Sequence, residues 1–119
     1  MKALHKMFAV ATVTLVSPMA FAHATLKSSN PEAGATVETA PKEVTLTFNE
    51  KVEQAFSTIS VADSGGKDVT AHKGWVDAAN PVTLRLAMPV LSTGTYTVTW
   101  AVAGHDGHRR KGDFKFTVK

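Results

Sequence analysis

Residues 96–118, YTVTWAVAGHDGHRRKGDFKFTV, decide the fold of this chain. In the first half of the stretch, residues 96–102, apolar side chains stand at every second position, with threonine or alanine between them. In the second half the alternating apolar residues are Phe114, Phe116 and Val118. A period of two is typical of a strand with one buried face. The stretch therefore predicts two strands, and the Asp-Gly pair between them is a common hairpin turn.

The same alternation recurs upstream of this stretch. It is clear at residues 44–48 and 82–86, shorter at 56–61, and residues 24–27 are a candidate edge strand. Between the runs lie turn-forming residues, namely Asn30-Pro31, Gly34, Ser64-Gly65-Gly66, Asn80-Pro81 and Gly94. No window after residue 22 shows the apolar period of a helix. Short strands at regular spacing predict an all-β fold, an antiparallel β-sandwich or Greek-key barrel.

The first 22 residues carry the three parts of a secretory signal peptide. Lys2 and Lys6 form a positive start, residues 8–16 are an uncharged apolar run, and Ala20-Phe21-Ala22 is a cleavage pattern. The apolar run is shorter than the roughly 20 residues that cross a bilayer as a helix, which disfavours a membrane anchor. We expect cleavage after Ala22 and a periplasmic domain of residues 23–119.

Charge and cysteine content exclude several classes of protein. The chain has 13 basic and 10 acidic residues, and Lys2 and Lys6 leave with the signal peptide, so 11 basic residues and a net charge of +1 remain. A nucleic-acid-binding domain would show a basic patch or stripe, so we expect no nucleic-acid partner. The absence of cysteine excludes disulfides, thiolate metal sites and a cysteine nucleophile. We expect a single domain that is a monomer.

Two groups of residues suggest a metal site. Cleavage after Ala22 makes His23 the N-terminal residue, whose α-amine and imidazole Nδ1 together close a small chelate ring around a metal ion. The amine has an ordinary pKa of about 8, so a metal displaces its proton near neutrality. The second group is Asp106 and His108, two residues apart, whose side chains would leave the same face if the stretch is extended. Three nitrogens and one oxygen in tetragonal geometry suit Cu(II).

Each group also has a simpler interpretation. A histidine after a cleavage site can be accidental, and Asp106-Gly107 can be only the tip of a hairpin loop. The sequence alone does not show that residues 23 and 108 meet. Glu50 ends the 44–48 strand and is either an axial ligand, an acid that orients an imidazole, or plain surface.

The other histidines and the tryptophans have weaker support as site residues. We interpret His72 as surface, His105 as solvated or adjacent to the ligands, and Trp75 and Trp100 as packing residues. A blue-copper site needs a cysteine thiolate. Only Met88 remains after the signal peptide is removed, which disfavours a methionine-rich Cu(I) site.

A set of short stretches in a fixed order covers nearly the whole mature chain. The stretches are His23-Ala24-Thr25-Leu26, Ser29-Asn30-Pro31 with Gly34-Ala35, Pro41 through Leu46-Thr47-Phe48-Asn49-Glu50, Gly94-Thr95-Tyr96-Thr97-Val98 with Trp100, and Asp106-Gly107-His108 with Gly112, Phe114, Phe116 and Val118. In this order and spacing the chain resembles the CopC family of periplasmic copper-resistance proteins.

The resemblance implies an Ig-like or cupredoxin-like β-sandwich that carries one Cu(II) ion. In the family the mature N-terminal histidine and an Asp-x-His near the C-terminus hold Cu(II), and these roles fall on His23, Asp106 and His108. Glu50 matches an acid placed near the Cu(II) site in some members. The methionine-rich Cu(I) loop of other members is absent, so the chain is similar to a Cu(II)-only member.

One departure from the family pattern is Arg109-Arg110, where members commonly have a proline and a small apolar residue. The added positive charge either weakens Cu(II) binding slightly or orients a membrane or protein partner.

Three functions follow as alternatives. The first is a non-enzymatic Cu(II)-binding protein for copper resistance or homeostasis, which sequesters copper or passes it to an inner-membrane transporter of the CopD type. The second is a copper-dependent oxidative enzyme, since the N-terminal histidine site resembles that of lytic polysaccharide monooxygenases. The third is an Ig-like interaction module without a metal. The small size of the domain disfavours the second, and copper titration separates the first from the third.

Overall fold

The computed structural model describes residues 24–119, which form a sandwich of two four-stranded sheets. The predicted signal peptide of residues 1–22, the predicted cleavage site after Ala22, and His23 lie outside the described residues. The strands are β1 (Leu26–Asn30), β2 (Thr36–Val37), β3 (Glu43–Phe48), β4 (Thr58–Ala62), β5 (Trp75–Val76), β6 (Thr83–Ala87), β7 (Gly94–Ala103) and β8 (Arg109–Val118).

The first sheet has the strand order β1-β3-β6-β5, and the second has the order β2-β8-β7-β4. The predicted all-β sandwich is confirmed, and each alternating run of the sequence contains or overlaps a strand. The pattern missed β2 and β5, which have two residues each and are too short to show a period. It also underestimated the length of β8, because this strand begins with polar residues at Arg109.

Among the described strands one pair is parallel, namely β2 with β8. The chain leaves the first sheet at Asn30 and enters the second at Thr36. Because the chain changes sheets between these residues, β2 pairs with a strand that is distant in sequence, β8. The other adjacent strands are antiparallel.

The segment before β4 also differs from the prediction. Phe56 lies in a 3₁₀ helix of three residues, Gln54–Phe56, and not at the start of a strand. Phe56 is 55% exposed, so its place in the alternating run 56–61 did not indicate a buried side chain. Trp75, expected to pack, is 37% exposed. No helix in residues 24–119 is long and apolar enough to cross a membrane.

The core lies between the two sheets, where the apolar face of each strand is buried. Its largest fully buried side chains are Phe48, Phe116, Leu46, Leu84, Leu86, Val44, Val61, Val98 and Val102. Phe48 of the first sheet meets Trp100 of the second edge to face, with ring centroids 5.2 Å apart, a geometry that aromatic pairs favour. The two sheets are thus held together by interdigitated side chains, as the cysteine-free sequence requires.

One polar group of the core anchors the start of β7. The Tyr96 hydroxyl donates to the Ser92 carbonyl oxygen at 2.7 Å, and the Tyr96 ring stacks on Phe116. A tyrosine bonded to backbone a few residues upstream is a hallmark of Greek-key sandwiches. It satisfies the hydroxyl at the edge of an apolar core, where an unpaired group would be costly.

The outer face of the first sheet carries a charged cluster. Arg85 donates to Glu43 at 2.6 Å and to Asp77 at 2.9 Å. The hydrogen bond from Arg85, followed by the backbone N–H of Ala79, lowers the pKa of Asp77 from its ordinary value. Asp77 is therefore more acidic in the folded protein than in the unfolded chain.

Packing of Trp100 on Gly112 gives a first prediction. The two residues stand opposite each other on β7 and β8, and a Cβ on Gly112 would lie 2.6 Å from Cζ2 of Trp100. We expect Gly112→Ala to lower the free energy of unfolding by about 1–3 kcal/mol, because the indole must shift in a packed core. Urea denaturation followed by tryptophan fluorescence measures it. In the control, Gly65→Ala, the added Cβ makes an ordinary 3.5 Å contact, and an equal loss there would contradict the argument.

The lowered pKa of Asp77 gives a second prediction. Its contribution to stability is complete above the unfolded pKa and is lost as pH falls through the folded pKa. The difference in melting temperature between the wild type and Asp77→Asn should therefore be constant above about pH 5 and should narrow as the pH falls below the ordinary carboxyl pKa of about 3.9. Melting curves by circular dichroism across this range measure it. A difference that does not change with pH would show that Asp77 acts only through its shape.

Candidate metal centre

The candidate site lies on the hairpin between β7 and β8. Gly104 N donates to the His108 carbonyl oxygen at 3.1 Å, and Gly107 N donates to the Gly104 carbonyl oxygen at 3.0 Å. These bonds leave a loop of three residues, His105 to Gly107. Gly107 has φ of +84°, which a residue without Cβ adopts at no steric cost. The Asp-Gly pair therefore lies at the tip of a hairpin, as the sequence predicted.

The loop brings Asp106 and His108 into direct contact. Oδ2 of Asp106 lies 2.7 Å from Nδ1 of His108, and Oδ1 accepts the His108 backbone N–H at 3.0 Å. The pair meets by folding back in a turn, and not by sharing one face of an extended strand. The carboxylate thus holds both the backbone and the ring of the same histidine.

The electrostatics of the pair favour an ionised carboxylate. The hydrogen bond from the His108 side chain, followed by the one from its backbone N–H, lowers the pKa of Asp106. Asp106 thus carries its negative charge throughout the neutral range. The imidazole of His108 is 62% exposed, so the hairpin presents it to solvent.

Glu50 lies against the base of the same hairpin. A Cβ on Gly104 would overlap Oε1 of Glu50 and would stand 3.3 Å from Oδ1 of Asp106. The chain after β3 reaches this position because Val52 bridges to Gly104 and Glu53 N donates to the Ala103 carbonyl oxygen at 2.9 Å. Two carboxylates, Glu50 and Asp106, therefore border one glycine, and a larger residue at position 104 would displace the carboxyl end of Glu50.

The first described residues are anchored beside this hairpin. Ala24 is fully buried, and the backbone N–H of Thr25 donates to Oδ1 of Asn49 at 2.6 Å. Asn49 N donates in return to the Thr25 carbonyl oxygen at 3.0 Å. Asn49 is the neighbour of Glu50 in the chain. The start of the described chain and the β7–β8 hairpin therefore lie at the same end of the sandwich.

Asn49 was missed by the sequence reasoning, which quoted it only as part of a matching stretch. An asparagine at the end of a strand looks like an ordinary turn residue. Its bond to Thr25 joins residues 24 positions apart, and no local sequence pattern predicts such a contact.

Two other histidines, His72 and His105, lie in the described part of the chain and are not paired with Asp106 or His108. His105 Nδ1 lies 3.2 Å from Oε1 of Glu53, on the other side of the loop. Together with Phe56 and Arg109 these residues line a cleft of 310 Å³, in which the Arg109 guanidinium stands 5.5 Å from the centre of the Phe56 ring. His72 is exposed in the segment between β4 and β5, as expected.

Within residues 24–119 no group of three or more histidine, aspartate, glutamate or cysteine side chains is placed to hold a metal ion. The described part of the chain brings two of the predicted ligands together, Asp106 and His108. The third, His23, lies outside it, so the complete ligand set stays a prediction.

Comparison with known proteins places the chain in a family. The CopC domain model matches residues 26–119. Protein YobA of Escherichia coli (strain K12) is 36% identical over 124 residues, which cover 99% of this chain and 96% of that protein. Copper resistance protein C of Escherichia coli is 35% identical over 121 residues, which cover 93% of this chain and 95% of that protein.

A solved structure agrees with these matches. The crystal structure of CopC from Methylosinus trichosporium OB3b superposes with a TM-score of 0.77 and 39% identity, covering 82% of this chain and 94% of that one. The fold, the order of the strands and the sequence matches lead to one conclusion: this chain belongs to the CopC family.

Proposed function

We propose that the protein binds one Cu(II) ion in the periplasm through His23, Asp106 and His108, without catalytic turnover. The observation that carries the proposal is the Asp106–His108 pair, an ionised carboxylate bonded to an exposed imidazole at a hairpin tip. Relatives named for copper resistance support copper as the cargo. The export signal of residues 1–22 supports the compartment.

The chemistry of the donors fits Cu(II). Nδ1 of His108 is hydrogen-bonded to Asp106, so Nε2 is the ring nitrogen assigned to the metal, in the arrangement common for metal-binding histidines. Each carboxylate oxygen has a second lone pair, so Asp106 can hold the imidazole and also offer an oxygen to the ion. With the amine and imidazole of His23, the set has three nitrogens and one oxygen, which suits Cu(II) in tetragonal geometry.

The anchoring of Thr25 supports His23 as the third ligand. Thr25 and Asn49 bond to each other in both directions, and β1 is antiparallel to β3. Asn49 precedes Glu50, which contacts the hairpin of Asp106 and His108. Thr25, two residues after His23 in the sequence, is therefore held at the end of the sandwich that carries the other two proposed ligands.

The proposed role after binding is to sequester the ion or pass it to an inner-membrane copper transporter of the CopD type. A relative named copper transport protein CutJ, from Bacillus subtilis (strain 168), is 32% identical to this chain, and 82% of the chain aligns with 18% of that protein. A domain of this kind within a transport protein supports a role in delivery. The exposed hairpin is suited to it, because an ion held at a loop tip is accessible to a partner.

The ligand set gives a third prediction. The processed protein beginning at His23 should bind Cu(II) one to one, with a tetragonal, nitrogen-rich electron paramagnetic resonance spectrum. Removing the His108 imidazole, or blocking the His23 amine with an added alanine, should each weaken binding by at least about tenfold, the usual range for lost ligands or their partners. Calorimetric titration together with the spectrum measures both effects.

Matched variants control this experiment. His72→Ala and His105→Ala remove imidazoles that lie apart from the Asp106–His108 pair, and should leave affinity and spectrum unchanged. Binding that is non-stoichiometric, or indifferent to both the His108 change and the N-terminal extension, would rule out the proposed site. Peroxide consumption in the presence of a polysaccharide would instead point to the oxidative enzyme.

The anchor on Thr25 gives a fourth prediction. Asn49→Ala removes the side-chain bond to Thr25 and leaves the backbone bond in place. We expect the Cu(II) dissociation constant to rise about fivefold, equivalent to about 1 kcal/mol for one hydrogen bond, since the ligand residue is less well positioned. The Asn80→Ala variant removes an asparagine from a turn and should bind as the wild type does. An unchanged dissociation constant in Asn49→Ala would show that the anchor has no part in binding.

A further inference from the structure

The outer edge of β8 is the most unusual feature of the hairpin end. β2 pairs with β8 at Thr117 and Val118 alone, although β8 begins eight residues earlier at Arg109. In the described part of the chain no strand covers the edge of β8 between Arg109 and Asp113, and this uncovered segment begins directly after His108.

The backbone groups on this edge can be identified from the bonds nearby. Gly34 N donates to the Lys115 carbonyl oxygen, and Thr117 N donates to the Ala35 carbonyl oxygen. The backbone N–H and C=O groups of Lys115 and Thr117 therefore point away from β7. Backbone direction alternates along a strand. The N–H and C=O groups of Lys111 and Asp113 therefore point to the same outer edge. No hydrogen bond in residues 24–119 beyond the strand ladders uses these groups.

The same segment carries concentrated positive charge. Arg109, Arg110 and Lys111 are consecutive and exposed, and none of the ion pairs in residues 24–119 includes them. Arg85, in contrast, has two acidic partners. Like charges on adjacent residues repel each other, and among residues 24–119 none of the three cations is joined to a carboxylate in an ion pair. The segment is complementary to an anionic molecule.

Arg109 and Lys111 project from one face of β8, since they are two residues apart. Arg109 also lies over the exposed ring of Phe56. The edge thus offers three things along one line: open backbone groups, two cations at strand spacing, and an apolar ring beside the first cation. A polypeptide strand uses all three, whereas a lipid headgroup surface uses the charges and the ring but cannot continue a backbone ladder.

We propose that the edge of β8 from Arg109 to Asp113 is a docking site for an extended acidic segment of a partner protein, which adds to the sheet as a strand. Main-chain hydrogen bonds provide the affinity in this mode of recognition, and alternate side chains provide the specificity. Carboxylates two residues apart on the segment pair with Arg109 and Lys111. The purpose of the docking rests on the proposed function, because the segment would lie beside His108 and bring a copper acceptor to the ion.

The test uses the processed, copper-free protein labelled with ¹⁵N, and the acetylated and amidated peptide Thr-Glu-Val-Glu-Thr-Glu-Val as the probe. Titration should shift the amide resonances of the Arg109–Asp113 segment and slow hydrogen exchange of the Lys111 and Asp113 amides by about tenfold at saturation. Raising the salt concentration should weaken binding, since the contacts include exposed charges.

Three variants separate the backbone from the charge. Lys111→Pro removes the backbone N–H that points to the outer edge and also removes the cation. It leaves the hydrogen bonds between β7 and β8 intact, because the backbone groups of Lys111 point away from β7. Proline is tolerated on strand edges. We expect it to abolish binding of the peptide. Lys111→Gln removes only the charge and should weaken binding several-fold. Lys115→Gln removes a cation two positions beyond Asp113. The carbonyl oxygen of residue 115 already accepts a hydrogen bond from Gly34 N, so this variant should bind the peptide as the wild type does.

Folding of each variant is checked by its melting curve, and Asp113→Pro replaces Lys111→Pro if the latter does not fold. The proposal is overturned by no binding at about 5 mM peptide, by binding that survives the proline variant, or by a Lys115 effect equal to that of Lys111. Binding to phosphatidylglycerol vesicles in place of the peptide would identify a lipid surface and overturn it too. Self-association of the Lys111→Gln variant without peptide binding by the wild type would also overturn it, since the cations would then serve only to prevent association between edge strands. Because copper is absent, failure here leaves the copper titration of the processed protein unaffected.

Discussion

The antiparallel pairing of β7 with β8 is the constraint on which the rest of the structure depends. Each strand has ten residues, and they pair along their full length from Gly94–Val118 to Ala103–Arg109. One face of this long hairpin provides much of the core, including Trp100 and Phe116. Its tip is the loop that carries Asp106 and His108. Because the register is set by the buried face, which a slip of one residue would expose, packing in the core also determines where the imidazole is presented.

Two tertiary contacts turn this hairpin tip into part of a larger site. The chain after β3 bonds to the end of β7 through Glu53 and Ala103, which carries Glu50 to Gly104. The start of β1 is clamped by Asn49. Segments from the beginning, middle and end of the chain thus converge at one end of the sandwich. No disulfide contributes, so this convergence is held by backbone pairing, by the Asn49 side chain and by the packed interior.

This end of the molecule carries one pair of carboxylates and one run of cations. Glu50 and Asp106 border Gly104 on the side of the proposed ligands, whereas Arg109, Arg110 and Lys111 follow on β8. Acidic groups beside the ligands favour a divalent cation, and cations along the adjacent edge favour an anionic partner. The small net charge of the chain, +3, does not reveal this arrangement, since opposite charges cancel in the sum but not in space.

The alternation of apolar residues by itself determined that the protein is an all-β sandwich, because a period of two buries one face of each strand wherever the strand lies. The Asp106-Gly107 pair between two alternating runs predicted the hairpin, and the residue types at positions 23, 106 and 108 gave the chemical types of the candidate ligands. Only the tertiary structure decided that Asp106 and His108 meet through a turn, that Glu50 lies on Gly104, that Asn49 holds Thr25, and that β2 leaves most of the β8 edge uncovered. These features depend on contacts between residues far apart in the chain or on the geometry of a single loop, and periodicity carries no information about either.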